Sequence, residues 1–365
     1  MNRHYYGLIL AGGRGTRFWP RSRKRSAKQV LNVVGERSLI QNTVERLGPV
    51  IPPERLWVLT NQHLRGAIVK QLPEIPQRQI LAEPMQRNTA PAIGLAAHIL
   101  QSVDKDAVMG VFPSDHVIGH GPIGHGAGKA AAYRNVVKAA LKSANAGNLM
   151  VIGIEPRWPE TGYGYVEFPR GSKPGAVARV KRFHEKPALA KAKRYLAAGN
   201  FYWNSGMFFW RCDALLDQLR QHLPKTATVL AALPAFGSRG FHQKLSRAFP
   251  LCENISIDFA VLEKSALVHG IPAADFGWND VGSWNAVYEL SARDECGNAI
   301  AAESICLEAR NNFVDARGKL VALLGVSDLI VVDTADALLV ASRDRAQQVG
   351  DVVKALERAK REDLL

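Results

Sequence analysis

Near its start the chain reads Leu8-Ile9-Leu10-Ala11-Gly12-Gly13-Arg14-Gly15-Thr16-Arg17, an apolar run followed at once by a turn with three glycines. The apolar run predicts a buried strand. Glycine allows the backbone to turn sharply and to approach a ligand closely, and successive backbone N–H groups in such a turn can hold phosphate oxygens. Arg14, Arg17 and, further along, Lys28 add positive charge at the same place. This stretch therefore predicts a strand that ends in a polyphosphate site.

We call residues 11–17 the glycine turn. Two commoner phosphate-binding loops do not fit it. A P-loop requires Lys-Ser or Lys-Thr after its last glycine, and a dinucleotide-binding turn requires a third glycine where Phe18 stands. An ordinary turn between a strand and a helix, with unrelated basic residues nearby, is the structural alternative.

The composition bounds the class of protein. With 365 residues and 47% hydrophobic content, the chain is long enough for two domains, one large and one small. No apolar stretch approaches the ~18 residues that cross a membrane, and a strand begins within a few residues of the N-terminus, so neither a membrane partner nor a secretory signal is expected. Widely separated cysteines favour free thiols in a reducing cytoplasm over disulfides or metal ligands. They are Cys212, Cys252, Cys296 and Cys306.

The net charge of +14 raises the hypothesis of nucleic-acid binding. Several basic residues, however, fall within residues 17–28, beside the glycine turn, where they suit a nucleoside triphosphate equally well. The sequence has no aromatic residues spaced among the basic ones and no zinc-finger or helix-turn-helix spacing. We therefore expect a small phosphorylated ligand, and no nucleic acid, as partner.

Apolar runs typical of strands alternate with helical patterns through the first part of the chain. The strand-like runs lie at residues 6–11, 56–60, 79–82, 107–113 and 149–154, and the helical patterns at 38–47, 62–72, 90–103 and 130–143. This alternation predicts a doubly wound α/β sheet of parallel strands. Ligands bind outside the carboxyl ends of such strands, where both the glycine turn and Asp115 are expected.

The pattern changes near residue 298. Short strand-like runs at residues 312–315, 319–324, 328–333 and 338–342, separated by turns such as 316–318, predict a small β domain. A last helix has an apolar face that either packs on this β domain or forms a subunit contact. That face carries Val349, Val352, Val353 and Leu356. We predict two domains, residues 1–295 and 296–365, and a homo-oligomer formed through the second is a further hypothesis.

Residues 116–128 are rich in glycine and histidine. His116, His120 and His125 raise the question of a metal site. Glycine would leave such ligands poorly held, so the composition favours a mobile loop instead.

The glycine turn carries the pattern Gly-Gly-x-Gly-Thr-Arg-x-x-Pro, followed by Lys28. This pattern resembles that of the sugar-1-phosphate nucleotidyltransferases. Further blocks, Pro113-Ser114-Asp115-His116 and Asp280-Val281-Gly282-Ser283-Trp284, extend the resemblance over most of the chain and narrow it to the mannose-1-phosphate guanylyltransferases. One departure is Ala27, because the family normally has proline before the lysine.

The resemblance implies a Rossmann-like fold of the glycosyltransferase-A type: a mixed, mostly parallel sheet flanked by helices, with a small C-terminal β domain and a terminal helix. It also implies Mg²⁺ held by Asp115 and Asp280, since magnesium takes one or two carboxylates together with phosphate oxygens and water. Taken singly, either aspartate has the alternative of a helix cap or a turn residue. The implied catalytic residues are Arg17, Lys28, Asp115 and Asp280.

The nucleotide half of the implied site comprises Ala11, Gly12, Gly13, Gly15, Thr16, Arg17, Lys28, Glu83, Asn88 and Thr89. Glu83 begins a matching block, residues 83–92, in which Thr89 is expected to cap a helix with Pro91 in its first turn. A carboxylate such as that of Glu83 accepts from both N1–H and N2–H of guanine, an arrangement that adenine and the pyrimidines cannot reproduce. A surface acid placed before a helix is the alternative interpretation of Glu83.

The sugar-phosphate half comprises Gly164, Glu185, Lys186 and Asn204. Gly164 lies in a glycine- and tyrosine-rich stretch, residues 161–167, where an ordinary hairpin is the alternative. In the family's Glu-Lys-Pro motif, Lys186 is implied to bind the sugar 1-phosphate and Glu185 to face sugar hydroxyls. Asn204 opens an Asn-Ser-Gly block and is implied as a sugar ligand.

Together these expectations describe a cytoplasmic enzyme that makes GDP-mannose and pyrophosphate from GTP and mannose 1-phosphate. The attacking oxygen belongs to the sugar phosphate, so catalysis consists of alignment and charge neutralisation and needs no protein nucleophile. Two alternatives remain open: the same reaction with another sugar phosphate or base, and a non-catalytic protein that senses GDP-mannose. No isomerase-type domain follows the β segment, so a single activity is expected.

Overall fold

The computed structural model describes residues 2–119 and 127–365. Ten strands form a large sheet: β1 Tyr5–Ala11, β2 Leu56–Asn61, β3 Ile80–Glu83, β4 Val108–Pro113, β5 Leu149–Ile154, β6 Tyr165–Glu167, β7 Ala178–Arg179, β8 Arg182–His184, β9 Phe201–Arg211 and β10 Val268–Pro272. The helices are α1 Leu39–Leu47, α2 Gln62–Gln71, α3 Thr89–Val103, α4 Ala127–Asn145, α5 Leu189–Ala198, α6 Cys212–His222, α7 Pro224–Ala231, α8 Phe241–Ala248, α9 Trp284–Leu290 and α10 Val349–Arg358.

The large sheet is mixed. Its strands run in the order β3-β2-β1-β4-β9-β5-β10-β7, with β6 and β8 extending it beside β9. The strands from β3 to β4 are parallel to one another, as are β5 and β10, whereas β9 is antiparallel to both β4 and β5. The expected mixed, mostly parallel sheet is confirmed, and the antiparallel β9 lies at its centre.

Apolar side chains cover both faces of this sheet, because successive residues of a strand point to opposite sides. In β1, Leu8 packs in the cluster that contains α3 and α6, while its neighbour Ile9 packs in the cluster that contains α1, α2 and α4. The first five strands and four helices lie close to their predicted positions. Helix α1 begins after Ser38, because Ser38 is its N-cap and forms a reciprocal capping box with Gln41 in the first turn of the helix.

The C-terminal sheet contains β11 Ala299–Leu307, β12 Phe313–Leu324, β13 Leu329–Asp333 and β14 Leu338–Ser342. The first three are parallel and β14 is antiparallel to β13. Strand β11 was not predicted. The two runs at 312–315 and 319–324 belong to one strand, β12, whose pairing with β11 jumps from Asp315 to Leu320. The predicted turn at 316–318 is therefore a bulge inside β12, where Gly318 adopts a φ of 84°.

One apolar cluster joins the C-terminal sheet to the start of the chain. Phe18 and Trp19, directly after the glycine turn, pack with Val349 and Val353 of α10 and with Trp284 of α9. The indole N–H of Trp19 donates to the backbone oxygen of Leu364 at 3.0 Å. Helix α10 thus packs on both the β sheet and the segment that follows the glycine turn. The division of the chain at residues 295/296 stays a prediction.

Other sequence expectations have structural counterparts. Within the described ranges, each helix is too short or too polar to span a bilayer. All four cysteines are free thiols. Two of the three histidines considered for a metal site, His120 and His125, lie outside the described residues, as does much of the 116–128 stretch.

Candidate active site

The glycine turn follows β1 and is held by side-chain amides. Gln29 Nε2 donates to the backbone oxygens of Ala11 at 2.8 Å and of Gly13 at 3.0 Å. Gly15 adopts a left-handed φ of 61°, and a Cβ added to it would lie 2.8 Å from Lys28 Cβ. Glycine is required at this position because both the conformation and the close approach exclude a side chain.

Two distant loops meet opposite the glycine turn. Asp115 follows β4, and Asp280 precedes α9. The backbones of Val117 and Asn279 exchange hydrogen bonds of 2.8 and 3.0 Å, which link the two loops directly. The indole N–H of Trp278 also donates to His116 Nδ1 at 3.2 Å. These contacts bring the two predicted aspartates to one place.

Lys28 lies between these loops. Its ammonium group donates to Asp115 Oδ2 at 2.9 Å and to the backbone oxygen of Asp280 at 2.8 Å. Lys28 is only 5% exposed. Burial and two hydrogen bonds hold this lysine in place. Lys28, Asp115 and Asp280 therefore form one charged centre.

Electrostatics keep this centre in a defined protonation state. Burial would raise the pKa of the Asp115 carboxyl, but the charge of the Lys28 ammonium group and its hydrogen bond bring that pKa below its usual value. Burial lowers the pKa of His116 to about 4. Asp115 is therefore ionised and His116 neutral at neutral pH.

Asp280 has a second partner that was not among the predicted site residues. The hydroxyl of Tyr163 donates to Asp280 Oδ1 at 2.6 Å. Burial, and then the negative charge of Asp280, raise the pKa of Tyr163 well above its usual range, so it remains a donor. The Arg17 guanidinium group also lies near the Asp280 carboxylate. A Cβ added to Gly282 would be 3.0 Å from Asp280 Oδ2 and 3.5 Å from Arg17 Nη1.

A cavity of about 570 Å³ opens between the glycine turn and β3. Six predicted site residues line it: Gly12, Gly13, Glu83, Asn88, Thr89 and Asp115. Leu10, Leu59 and Ala92 give it apolar walls. Burial raises the pKa of Glu83 to about 8. The cavity therefore combines apolar surface with a carboxyl group at one end and the charged centre at the other.

The cap of α3 differs from the prediction. Asn88, not Thr89, is the N-cap, and its side-chain oxygen accepts from the backbone N–H of Thr89 at 2.9 Å. Asn88 has a φ of 65°, a backbone conformation that is a clear outlier for a β-branched residue such as threonine. The Thr89 hydroxyl instead accepts from the backbone N–H of Ile257 at 2.9 Å. Thr89 thus connects the cavity to the segment before Asp258.

The four predicted sugar-phosphate residues also come together. The backbone N–H of Asn204 donates to the backbone oxygen of Gly164 at 2.8 Å. A Cβ added to Gly164 would lie 2.5 Å from Glu185 Oε2. Lys186 Nζ lies 3.3 Å from Glu185 Oε1, and the Lys186 side chain is 61% exposed. An exposed lysine therefore pairs with the carboxyl group of Glu185, which lies against Gly164.

Asp258 belongs to this group although the sequence analysis missed it. Asn204 Nδ2 donates to Asp258 Oδ1 at 3.0 Å. Burial, followed by the nearby Glu185 carboxyl, raises the pKa of Asp258 to about 7. The available signal in the sequence was a carboxylate directly before the apolar residues 259–262. Burying an unpaired carboxylate costs free energy, so an acid in such a stretch indicates a polar partner.

A separate group of side chains close enough together to hold a metal ion lies at the amino ends of β1 and β4. His4, Asp104 and Asp106 stand before β1 and β4, whereas the glycine turn and Asp115 follow the same strands. Asp104 already accepts hydrogen bonds from His4 and Tyr6. This group is therefore remote from the candidate active site, where Asp115 and Asp280 supply the carboxylates.

Comparison with known families gives two matches. The model of the "Nucleotidyl transferase" family matches residues 6–296. The model of the "MannoseP isomerase/GMP-like beta-helix domain" matches residues 302–356. The first match includes both halves of the candidate site, and the second falls on the parallel C-terminal strands and α10.

Curated relatives match along nearly the whole chain. The Xanthan biosynthesis protein XanB of Xanthomonas campestris pv. campestris is 41% identical over 98% of this chain and 74% of its own length. The alginate biosynthesis protein AlgA of Pseudomonas aeruginosa is 37% identical over 96% of this chain and 72% of its length. A mannose-1-phosphate guanylyltransferase of Escherichia coli is 36% identical over 97% of this chain and 74% of its length.

Solved structures agree with these matches. A Thermus thermophilus structure described as mannose-1-phosphate geranyltransferase is 33% identical, covers 97% of this chain and 99% of its own, and has a TM-score of 0.84. A Helicobacter pylori mannose-6-phosphate isomerase is 27% identical over 76% of this chain and 99% of its own, with a TM-score of 0.58. The chain belongs to the mannose-1-phosphate guanylyltransferase family of nucleotidyl transferases.

Proposed function

We propose that this protein transfers GMP from GTP to mannose 1-phosphate, with release of pyrophosphate. A phosphate oxygen of the sugar attacks the α-phosphorus, a new P–O bond forms, and the bond to the departing pyrophosphate breaks. The observation that supports this most strongly is the cavity beside the glycine turn. Its lining includes the glycine turn, Glu83 and Asp115, and Lys28 joins Asp115 to the Asp280 loop.

Arg17 and Lys28 are proposed to neutralise the triphosphate. Such groups accelerate the reaction when they already stand where negative charge develops. Lys28 has this property, because burial and two hydrogen bonds fix its ammonium group. Backbone N–H groups of residues 11–16 are proposed to contact phosphate oxygens, as successive N–H groups of glycine-containing turns do.

Mg²⁺ is the proposed cofactor, with Asp115 and Asp280 as its protein ligands. The donor set fits, because magnesium takes one or two carboxylates and completes its shell with phosphate oxygens and water. When bound, the ion supplies charge neutralisation to the phosphates. Tyr163, through its 2.6 Å hydrogen bond to Asp280 Oδ1, orients one of these carboxylates.

Glu83 is the residue proposed to select guanine over other bases. Its carboxyl lines the cavity, and burial raises its pKa to about 8. Guanine offers two adjacent N–H donors, which pair with an ionised carboxylate in a bidentate arrangement. A base without two such donors leaves this buried group unpaired, which costs binding free energy.

Lys186, Glu185, Asn204 and Gly164 are the proposed sugar-phosphate residues, and Asp258 joins them. Lys186, whose exposed ammonium group pairs with Glu185, is proposed to supply positive charge to the sugar 1-phosphate. The carboxyls of Glu185 and Asp258 offer acceptors to sugar hydroxyls. The Asn204 amide donates to Asp258 Oδ1 at 3.0 Å. Asn204 therefore also orients the Asp258 carboxyl, the second of these two acceptors.

Product analysis tests the proposal. The protein is incubated with GTP, mannose 1-phosphate and Mg²⁺, pyrophosphate is followed by a coupled assay, and the nucleotide product is identified by mass spectrometry. We expect equal amounts of pyrophosphate and GDP-mannose, and neither product when one substrate is omitted. Binding of GDP-mannose without any turnover would contradict the proposal and favour a sensor.

A further inference from the structure

The basic residues of the segment 14–24 reach towards the C-terminal part of the chain. Arg14 Nη2 lies 2.6 Å from Glu357 Oε1 in α10, and Lys24 pairs with Glu362. Arg17 has a different kind of partner, because its Nη1 donates to the side-chain oxygen of Gln347 at 2.5 Å. Gln347 belongs to a short 3₁₀ helix, Arg343–Gln348, that leads into α10.

The chemistry of this partner matters. A carboxylate would pair with the guanidinium charge and compete with a bound phosphate. A neutral amide oxygen accepts one of the five guanidinium N–H donors and leaves the positive charge in place. Gln347 therefore fixes the direction of Arg17 without neutralising it.

Both ends of this hydrogen bond are anchored in one apolar core. Phe18, next to Arg17, is 1% exposed, and Ala346, next to Gln347, is 2% exposed; both belong to the cluster that joins α10 to the start of the chain. The two polar side chains are thus carried on adjacent, rigidly packed segments. A contact between preordered groups loses less conformational entropy than one between free surface side chains.

We propose that Gln347 is a positioning residue that aims the Arg17 guanidinium at the triphosphate, so that the C-terminal unit completes the nucleotide site. This rests on the proposed function, in which Arg17 contacts the triphosphate. Arg17 already lies beside Asp280 in the charged centre. The hydrogen bond from Arg17 to Gln347 selects the rotamer that keeps the guanidinium group there.

The test compares Gln347→Ala with Gln348→Ala, a matched control, because both are exposed glutamines of the same turn. Loss of one positioning hydrogen bond should lower kcat about 3- to 10-fold. We expect KM for mannose 1-phosphate to stay unchanged and Gln348→Ala to behave like the wild type. Gln347→Glu, which keeps an acceptor but neutralises Arg17, should raise KM for GTP. Equal kcat in Gln347→Ala and Gln348→Ala would overturn the proposal, as would a wild-type KM for GTP in Gln347→Glu.

A double-mutant cycle separates positioning from a structural role. If Gln347 acts through Arg17, adding Gln347→Ala to Arg17→Ala should change kcat no further. A second full 3- to 10-fold fall in the double mutant would overturn the inference. Thermal unfolding of each variant checks the fold, and calorimetric GTP binding gives a second readout for variants with low turnover. A wild-type protein that turns over no substrate pair would instead refute the proposed function itself.

Discussion

The ammonium group of Lys28 lies 2.9 Å from the Asp115 carboxylate, and the same nitrogen donates to the backbone of Asp280 at 2.8 Å. Three residues from distant parts of the sequence therefore form one centre at the edge of the cavity. Lys28 is buried, and two hydrogen bonds hold its ammonium group. Such preorganisation is what electrostatic catalysis of phosphoryl transfer requires.

Replacing Lys28 with methionine tests this centre. The variant keeps the length of the side chain and removes its charge, so turnover should fall about 10²- to 10³-fold. Lys319→Met is the control, because Lys319 is an exposed lysine of the C-terminal sheet that also pairs with an aspartate, Asp333. Steady-state rates of both variants are measured at saturating substrates. A wild-type rate in Lys28→Met would show that the centre has no part in catalysis.

Asp280→Asn and Asp115→Asn should each preserve folding, lower the rate sharply and raise the Mg²⁺ requirement. The reason is the loss of one of two proposed anionic ligands. Tyr163→Phe should have a weaker effect of about 3- to 10-fold, because it removes only the hydrogen bond that orients Asp280. Magnesium titrations of the rate are combined with Mn²⁺ binding measured by electron paramagnetic resonance.

Asp275→Asn serves as the control for these variants, since Asp275 is a nearby exposed aspartate paired with Lys129. It should match the wild type in both measurements. Wild-type activity of Asp280→Asn over the whole magnesium range would rule out the shared metal site.

Glu83 gives a pH dependence with a definite sign. Its pKa is raised to about 8, so at pH 7 most of the carboxyl is protonated and cannot accept both guanine N–H groups. As pH rises from 7.0 to 8.5, the ionised fraction grows and GTP affinity should increase about fivefold to tenfold. Calorimetry of GTP binding across this range measures the effect.

Glu83→Gln is the control for that titration. Its affinity should change little with pH, apart from the contribution of the triphosphate itself, and its preference for GTP over ATP should fall by ~1–3 kcal/mol. An identical pH profile in wild type and Glu83→Gln would dismiss Glu83 as the guanine contact.

The sugar half should respond separately from the nucleotide half. Lys186→Ala and Asp258→Asn should each raise the mannose 1-phosphate concentration needed for half-maximal rate by about tenfold or more, because the first removes the cation and the second removes a carboxyl acceptor. GTP binding, measured by calorimetry, should survive in both. Lys181→Ala, a change at an exposed lysine near Lys186 in sequence, should leave both quantities unchanged. Loss of GTP binding in Lys186→Ala would invert the proposed division of labour.

Short motifs at the ends of strands were predictable from sequence. The glycine turn follows β1 and Asp115 follows β4, and parallel neighbouring strands bring such ends together. Asp280 could be predicted only from its family motif. Its position beside Lys28 depends on the long-range bridge between Val117 and Asn279, which the local sequence does not reveal.

Residues defined by tertiary packing were not predictable. Asp258 has no motif, and its role depends on Asn204 from another strand. Gln347 faces Arg17 only because α10 packs against Phe18. The cap of α3 went to Asn88 because the Thr89 hydroxyl is used by Ile257. The sequence analysis predicted a turn where β12 has a bulge. A glycine with positive φ occurs in turns and in bulges alike, so the local sequence does not distinguish the two.

A single competition experiment tests the central claim most directly. The protein is given an equimolar mixture of GTP, ATP, UTP and dTTP with equal amounts of mannose 1-phosphate and glucose 1-phosphate, in the presence of Mg²⁺. Product ratios from mass spectrometry then report the ratios of kcat/KM for all pairs at once. The account predicts that GDP-mannose is the dominant product. Dominance of a thymidine or uridine diphosphate sugar would contradict it.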